Sequence, residues 1–327
     1  MSWTTSRFSC LAVAVVVAMF AASASAQTVL NQWNFNGTTT ATYRTPSSGS
    51  VSSGTIAGFG TSGAPSAPLT SAVINGAASD AGTVISGTTY NRSATVNPPP
   101  TSAANSSTGI TFLAPTTGMG VGEAVKISWS QTVGFRSSRY WQLLVSTSGT
   151  AGPFSTPTGG IGSSVSQFVN GLNSGTSAIS GTATVSVSTT GVVDIRTING
   201  NWLSQAVTSA TNSIPPAVYA AGFVDNISYT LPTGQGYENN ANFAFAIAGI
   251  WDPNGTFTSG TTGLVSSFAG TDSTDTTNGY AAGQSSGGSM RLDLVTVSSV
   301  PEPATFAMLG VAGLVVGALA WRRRRRT

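Results

Sequence analysis

Asn242-Phe243-Ala244-Phe245-Ala246-Ile247-Ala248-Gly249-Ile250 decides the fold. Its large side chains, Phe243, Phe245 and Ile247, recur at every second position, and alanines fill the places between. A period of two is the mark of a strand, whose successive side chains point to opposite faces. Here both faces are apolar, so the stretch predicts a central strand of a sandwich, covered on each side.

The same alternation spreads outward from it. Residues 29–35 set Trp33 and Phe35 on one face, 124–129 set Ile127 with Trp129, and 140–146 set Trp141, Leu143 and Val145 together. Residues 182–188, 191–198, 226–231 and 290–298 read as further strands. The Gly-, Ser- and Thr-rich stretches 37–63, 97–108 and 258–289 read as linkers, with Pro98-Pro99-Pro100 the stiffest break. No second core and no long internal repeat is visible, so the body is expected to be one domain over residues 27–299. The fold class is all-β: an antiparallel two-sheet β-sandwich.

Both ends read as addresses and not as fold. Arg7 precedes an apolar run, 11–22, and Ala24-Ser25-Ala26 is the small-residue pattern cut by a signal peptidase. Residues 1–26 are therefore a signal peptide, with Ala24 and Ala26 at the cleavage site and Gln27 opening the mature chain. At the other end an apolar run, 304–321, is followed by Arg322, Arg323, Arg324, Arg325 and Arg326. A helix of that length, at a rise of ~1.5 Å per residue, reaches ~27 Å and crosses a thin bilayer when the arginines snorkel. The arginines act as a membrane stop held on the cytoplasmic side, which leaves the body outside. Gly313-x-x-x-Gly317 within the helix is a surface for close helix approach.

Removing these ends changes the charge. The chain has 13 Lys and Arg and 10 Asp and Glu, of which Arg7, the five terminal arginines and Glu302 lie in the addresses. The body is left with a net charge of about −2, so a sequence pI of about 9.3 says nothing for nucleic-acid binding. Cys10 leaves with the signal peptide, and the mature chain has no thiol for a disulfide, a metal or a nucleophile.

The chain also has no histidine. Gly283-x-Ser285-x-Gly287 therefore lacks the usual base of a nucleophile elbow, and no His-based zinc site can form. Gly58-x-Gly60-x-x-Gly63 fits a dinucleotide fingerprint in letters, but no helix pattern follows it. No catalytic residues are assigned and the protein is not expected to be an enzyme. The alternative is a polysaccharide-active enzyme using an Asp/Glu pair, for which Asp194 and Asp293, both within predicted strands, are the acids to inspect. Asp225, Asp252, Asp272 and Asp275 read as turn residues bonding local backbone. No cofactor is expected; a structural calcium held by oxygen ligands alone is compatible with such loops. Most tryptophans should be core. Trp202 follows the turn Asn199-Gly200-Asn201 and is the candidate ligand platform, a flat face for a sugar ring.

Pro301-Glu302-Pro303, then an apolar helix, then an arginine cluster, resembles the PEP-CTERM sorting signal of bacterial envelope proteins. The resemblance implies that Pro301, Glu302 and Pro303 are the sorting motif within 300–327, read by a membrane-embedded exosortase-type peptidase that cleaves the tail. The two prolines suit that role, since they hold the segment extended and remove backbone donors. The body is similar to ectodomains often joined to this signal, on four segments. These are Trp33-x-Phe35; Arg139-Tyr140-Trp141-Gln142-Leu143-Leu144-Val145-Ser146-Thr147-Ser148-Gly149; Glu238-Asn239-Asn240-Ala241-Asn242-Phe243-Ala244-Phe245; and Leu292-Asp293-Leu294-Val295-Thr296-Val297. This resemblance implies a jelly-roll, lectin-like sandwich and brings no catalytic residues. The final strand has Leu292-Asp293-Leu294 where an aromatic-Asp-Asn pattern is expected, which speaks against a metal role for Asp293.

The expected protein is a non-catalytic, exported envelope or extracellular-matrix protein, anchored in the inner membrane with its ectodomain outside and released after processing. Its expected partners are the signal peptidase and secretion machinery, the exosortase-type peptidase and an extracellular polysaccharide.

Overall fold

The computed structural model describes residues 27–36, 45–51, 53–59, 65–66, 83–85, 88–90, 94–96, 109–133, 140–170, 180–196, 223–250, 256–259, 265–269 and 290–301. In chain order the strands are β1 (Thr28–Trp33), β2 (Thr55–Phe59), β3 (Pro65–Ser66), β4 (Thr83–Ile85), β5 (Thr88–Tyr90), β6 (Ala94–Val96), β7 (Gly109–Leu113), β8 (Glu123–Val133) and β9 (Tyr140–Ser146). They continue with β10 (Ile161–Gly162), β11 (Ser164–Asn170), β12 (Ser180–Val187), β13 (Val192–Arg196), β14 (Val224–Thr230), β15 (Ala244–Ile250), β16 (Thr256–Ser259), β17 (Val265–Ala269) and β18 (Met290–Pro301).

Two antiparallel sheets carry the fold. One runs β1-β18-β8-β14-β10, with β6 also on β18; the other runs β11-β12-β13-β9-β15-β7-β2-β3. The pairs β4-β5 and β16-β17 form two small sheets. The alternating runs of the sequence supply the strands at the centre of both large sheets, and their large side chains meet between them. Trp33 of β1 stands edge-on to Phe112 of β7 at 5.2 Å, and Phe112 stacks on Phe245 of β15 at 4.7 Å. Trp33, Trp129, Trp141, Ile127, Leu143 and Val297 are all buried in this core.

β15 lies between β9 and β7, and every residue in it is buried. Phe245 and Ile247 face the main core, while Ala246 and Ala248 form a small cluster with Leu144 and Phe154 on the outer side. Ser155 exchanges two backbone hydrogen bonds of 2.9 Å with Val145, and this seats Phe154 over the alanines. The small alanine side chains leave the depth that an aromatic ring needs, so the outer apolar face predicted from the sequence has its cover.

Both neighbours of β8 bulge at the same level. β14 slips register between Val224, opposite Gln131, and Ile227, opposite Trp129. β18 slips between Asp293, opposite Ser130, and Thr296, opposite Ser128. Each bulge holds a left-handed residue, Asn226 at φ 62° and Leu294 at φ 46°; Asn adopts this conformation readily and Leu does not.

Several sequence expectations are corrected. The stretch 37–63 is no linker: β2 within it pairs with β7, and residues 47–51 hydrogen-bond along β1. β16 and β17 likewise place paired strand in the 258–289 stretch. The surrounding Gly and Ser hide these segments, although the Thr, Ile, Val and Phe within them favour strand. Asp225 is no turn residue; it sits in the β14 bulge, where its backbone N–H donates to Gln167 Oε1 at 2.9 Å. Gly58 lies inside β2 opposite Ile110, which removes the strand-to-helix turn a dinucleotide fingerprint needs.

Candidate functional site

The site is the end of the sandwich where the chain leaves for its C-terminal tail. β18 is a central strand, and it stays paired to its last residue: Pro301 lies opposite Glu123 of β8. Proline has no N–H to give a ladder, and a strand end is where a sheet accepts it. The first residue of the Pro-Glu-Pro motif is therefore also the last residue of the sheet, and no linker separates fold from motif.

The first described residues lie beside this exit. Thr28 of β1 pairs with Ser299, and Gln27 donates from Nε2 to Ser298 Oγ at 2.8 Å. The expected signal-cleavage bond before Gln27 and the sorting motif are thus neighbours at one end of the body, although 271 residues separate Gln27 from Ser298.

Three loops share this end: 114–122 before β8, 147–155 after β9, and 231–243 before β15. Two asparagines of the quoted Glu238-to-Phe245 segment fasten them. Asn239, at φ 50°, accepts from Gly118 N–H at 3.0 Å and donates to the Met119 carbonyl at 3.1 Å. Asn240 donates to the Thr147 carbonyl at 3.1 Å and the Gly236 carbonyl at 2.8 Å, and its Oδ1 accepts from Asn242 N–H at 2.7 Å. Thr116 Oγ1 donates to the Tyr237 carbonyl. Tyr237 packs edge-on against Phe243 at 5.9 Å, and burial, with Glu238 second, raises its phenol pKa. The asparagines were legible only as part of a resemblance, because nothing in their spacing announces a clasp between loops.

The acids named from sequence do not come together as a pair. Asp194 stands on β13, between the core-facing Val193 and Ile195, on the outward side of its sheet. Asp293 is buried in the other sheet, at the β18 bulge opposite Ser130. Among the described residues no three Asp, Glu, His or Cys side chains converge on one point. Ala24, Ala26, Trp202, Glu302, Pro303, the helix at 304–321 and Arg322 to Arg326 lie outside the described residues. Among the described residues no helix is long and apolar enough to cross a membrane.

Fold and junction together define a class: an all-β body whose last strand continues directly into a C-terminal delivery tail. A family model of the PEP-CTERM protein-sorting motif matches residues 299–325. The chain therefore carries a PEP-CTERM sorting signal, the mark of an exported, membrane-anchored exosortase substrate, with a C-terminal transmembrane segment implied. No curated protein and no solved structure matches the chain. The match begins two residues before the end of β18, so sheet and signal overlap at Ser299, Val300 and Pro301.

Proposed function

We propose that this is a non-catalytic protein of the cell envelope or extracellular matrix, presented outside the cytoplasm on its anchor, released by cleavage at the sorting motif, and binding polysaccharide without turning it over. One observation carries the presentation: the sheet runs unbroken into the sorting signal, so whatever places the signal at a membrane places the folded body there too. Hydroxyl-bearing side chains on both sheets fit a hydrated polysaccharide partner. Ser166 and Thr184 lie on one sheet, hydrogen-bonded at 2.9 Å, and Ser128 and Ser228 pair on the other. Arg322 to Arg326 hold the tail's end in the cytoplasm, and the arrangement uses them as a translocation stop.

Cell fractionation with mass measurement of the mature C-terminus tests the reading. Glu302→Ala should leave the protein exported and membrane-bound but uncleaved, whereas serine at positions 322–326 should weaken retention. A wild-type protein that keeps its arginines in a strain possessing the sorting peptidase would overturn the cleavage claim. Release of sugars from a bound glycan, abolished when two neighbouring acids are replaced, would overturn the non-catalytic claim.

A further inference from the structure

The sorting signal begins inside the fold. The family model starts at Ser299 while β18 runs to Pro301, so residues 299–301 belong to both. Each of them is held by β8: Ser299 lies opposite Val125, Val300 opposite Ala124 and Pro301 opposite Glu123. Ser299 is held from its other side as well, by Thr28 at the start of β1. Anything that reads the motif from Pro301 onward meets that residue already engaged.

Val300 is the residue that fastens this end. Successive residues of an antiparallel strand turn their N–H and C=O groups to opposite sides. The Val125 carbonyl accepts from Leu231 N–H at 2.8 Å, on the β14 side, so Ala124 turns toward β18 and forms the hydrogen-bonded pair with Val300. Pro301 then occupies a position whose N–H would face away from β8, where a proline takes nothing from the ladder. Behind them Ser298 is secured by its side chain: Oγ accepts from Gln27 Nε2 at 2.8 Å and donates to the Lys126 carbonyl at 3.4 Å, and the residue is fully buried. Val300 and Pro301 therefore hang on β8 alone and Ser299 on two strands, and a fray that starts at the free end stops at Ser298.

An extended peptide is gripped by its receptor largely through main-chain hydrogen bonds, and a segment paired in a sheet has those groups engaged. We propose that the end of β18 is a latch on processing: the exosortase-type peptidase reads Pro301 only after residues 299–301 have peeled from β8, and the folded body thereby sets how long it stays on its anchor. The latch governs access alone and leaves the chemistry of the cut to the peptidase. It rests on the proposed cleavage at the sorting motif, and the experiment separates the two.

The full chain is expressed in a strain possessing the sorting peptidase, and the half-time for loss of the tail is read by pulse-chase with mass measurement of the C-terminus. Val125 and Ser299 form a non-hydrogen-bonded pair, whose Cα atoms stand about 4.5 Å apart, within disulfide range. Once Cys10 has left with the signal peptide the chain has no other thiol, so V125C with S299C gives a single crosslink across the latch. Oxidised, this variant should lengthen the half-time at least about tenfold, and a thiol reductant should bring it back to within about twofold of wild type. A Gly-Ser insert of about six residues between Ser298 and Ser299 carries the motif off the sheet with its own flank intact, and should shorten the half-time at least about threefold. Wild-type speed in the oxidised variant overturns the latch, as does an insert no faster than wild type; if the cysteine pair does not accumulate, the insert alone decides. A wild-type chain that keeps its tail sinks the cleavage reading and the latch together, whereas a wild type that is cut, with neither change altering its rate, sinks the latch only.

Discussion

Phe245→Ala is the substitution that tests the packing most directly. Phe245 is fully buried near the start of β15, stacked on Phe112 at 4.7 Å and 9° and lying 6.3 Å from the Phe243 ring. Removing a buried phenylalanine costs about 3–5 kcal/mol, part lost transfer energy and part cavity. Little of this can be recovered by collapse, because β15 is held on both edges by β9 and β7 and its far face is closed by Phe154. Domains are stable by about 5–15 kcal/mol, so the variant should keep its fold but unfold at much lower denaturant. Urea titration of the detergent-solubilised chain, read by fluorescence of the buried tryptophans, measures the loss. Phe245→Leu and Phe112→Leu, alone and together, isolate the ring pair, whose coupling should be about 0.5–1.5 kcal/mol. A loss below about 1 kcal/mol for Phe245→Ala would mean that the two sheets do not close on this ring, and the central placement of β15 would have to be given up.

Asn239→Ala and Asn239→Gly should both loosen the loop clasp, but alanine more, by about 1 kcal/mol, because glycine accepts φ 50° without strain; equal unfolding midpoints would refute the left-handed assignment. Tyr229 donates its hydroxyl to the Thr189 carbonyl at 2.6 Å, and burial raises its pKa above 10.0, offset in part by the Gly160 backbone and reinforced by Tyr237. Because the folded value is raised, the stabilisation is fully present below pH 10.0 and is lost as pH climbs through the folded value; unfolding curves between about pH 9 and 12 should show that fall, and Tyr229→Phe should shrink it. A Cβ at Gly160 would overlap the same ring, so Gly160→Ala should unfold at lower denaturant than wild type, and an unchanged midpoint would place Tyr229 elsewhere. Leucine at both Gly313 and Gly317 should reduce self-association of the anchor in crosslinking, and unchanged crosslinking would set aside the close-approach surface.

Where a strand carries large side chains in strict alternation, its place in the fold was legible. Residues 140–146 matched β9 residue for residue, with Trp141, Leu143 and Val145 in the core, and the two apolar faces of residues 242–250 correctly announced a central strand. What stayed hidden was strand set among turn-forming residues. Thr55-Ile56-Ala57-Gly58-Phe59 has three strand-favouring residues, but its Gly- and Ser-rich flanks concealed it, and β7 holds it in register along its whole length. β18 hid something else: Met290 and Leu292 are core and so are Val295 and Val297, which strict alternation forbids. The bulge at Leu294 resets the phase, and no propensity rule places it. At the junction the sorting tail was legible because each of its parts has its own physical mark, whereas nothing in the sequence announced that Pro301 would pair with Glu123.

The pairing of Thr28 with Ser299 orders events in time. The first strand to emerge from the secretion pore finds its hydrogen-bond partner only when nearly the whole chain has followed, and β8, made midway, lacks one neighbour until the same moment. A copy truncated by early termination or by proteolysis loses the middle of a sheet and the delivery tail together. Completeness is thus inspected by the architecture itself: the segment that earns delivery is continuous with the segment that finishes the fold, so unfinished bodies carry no address.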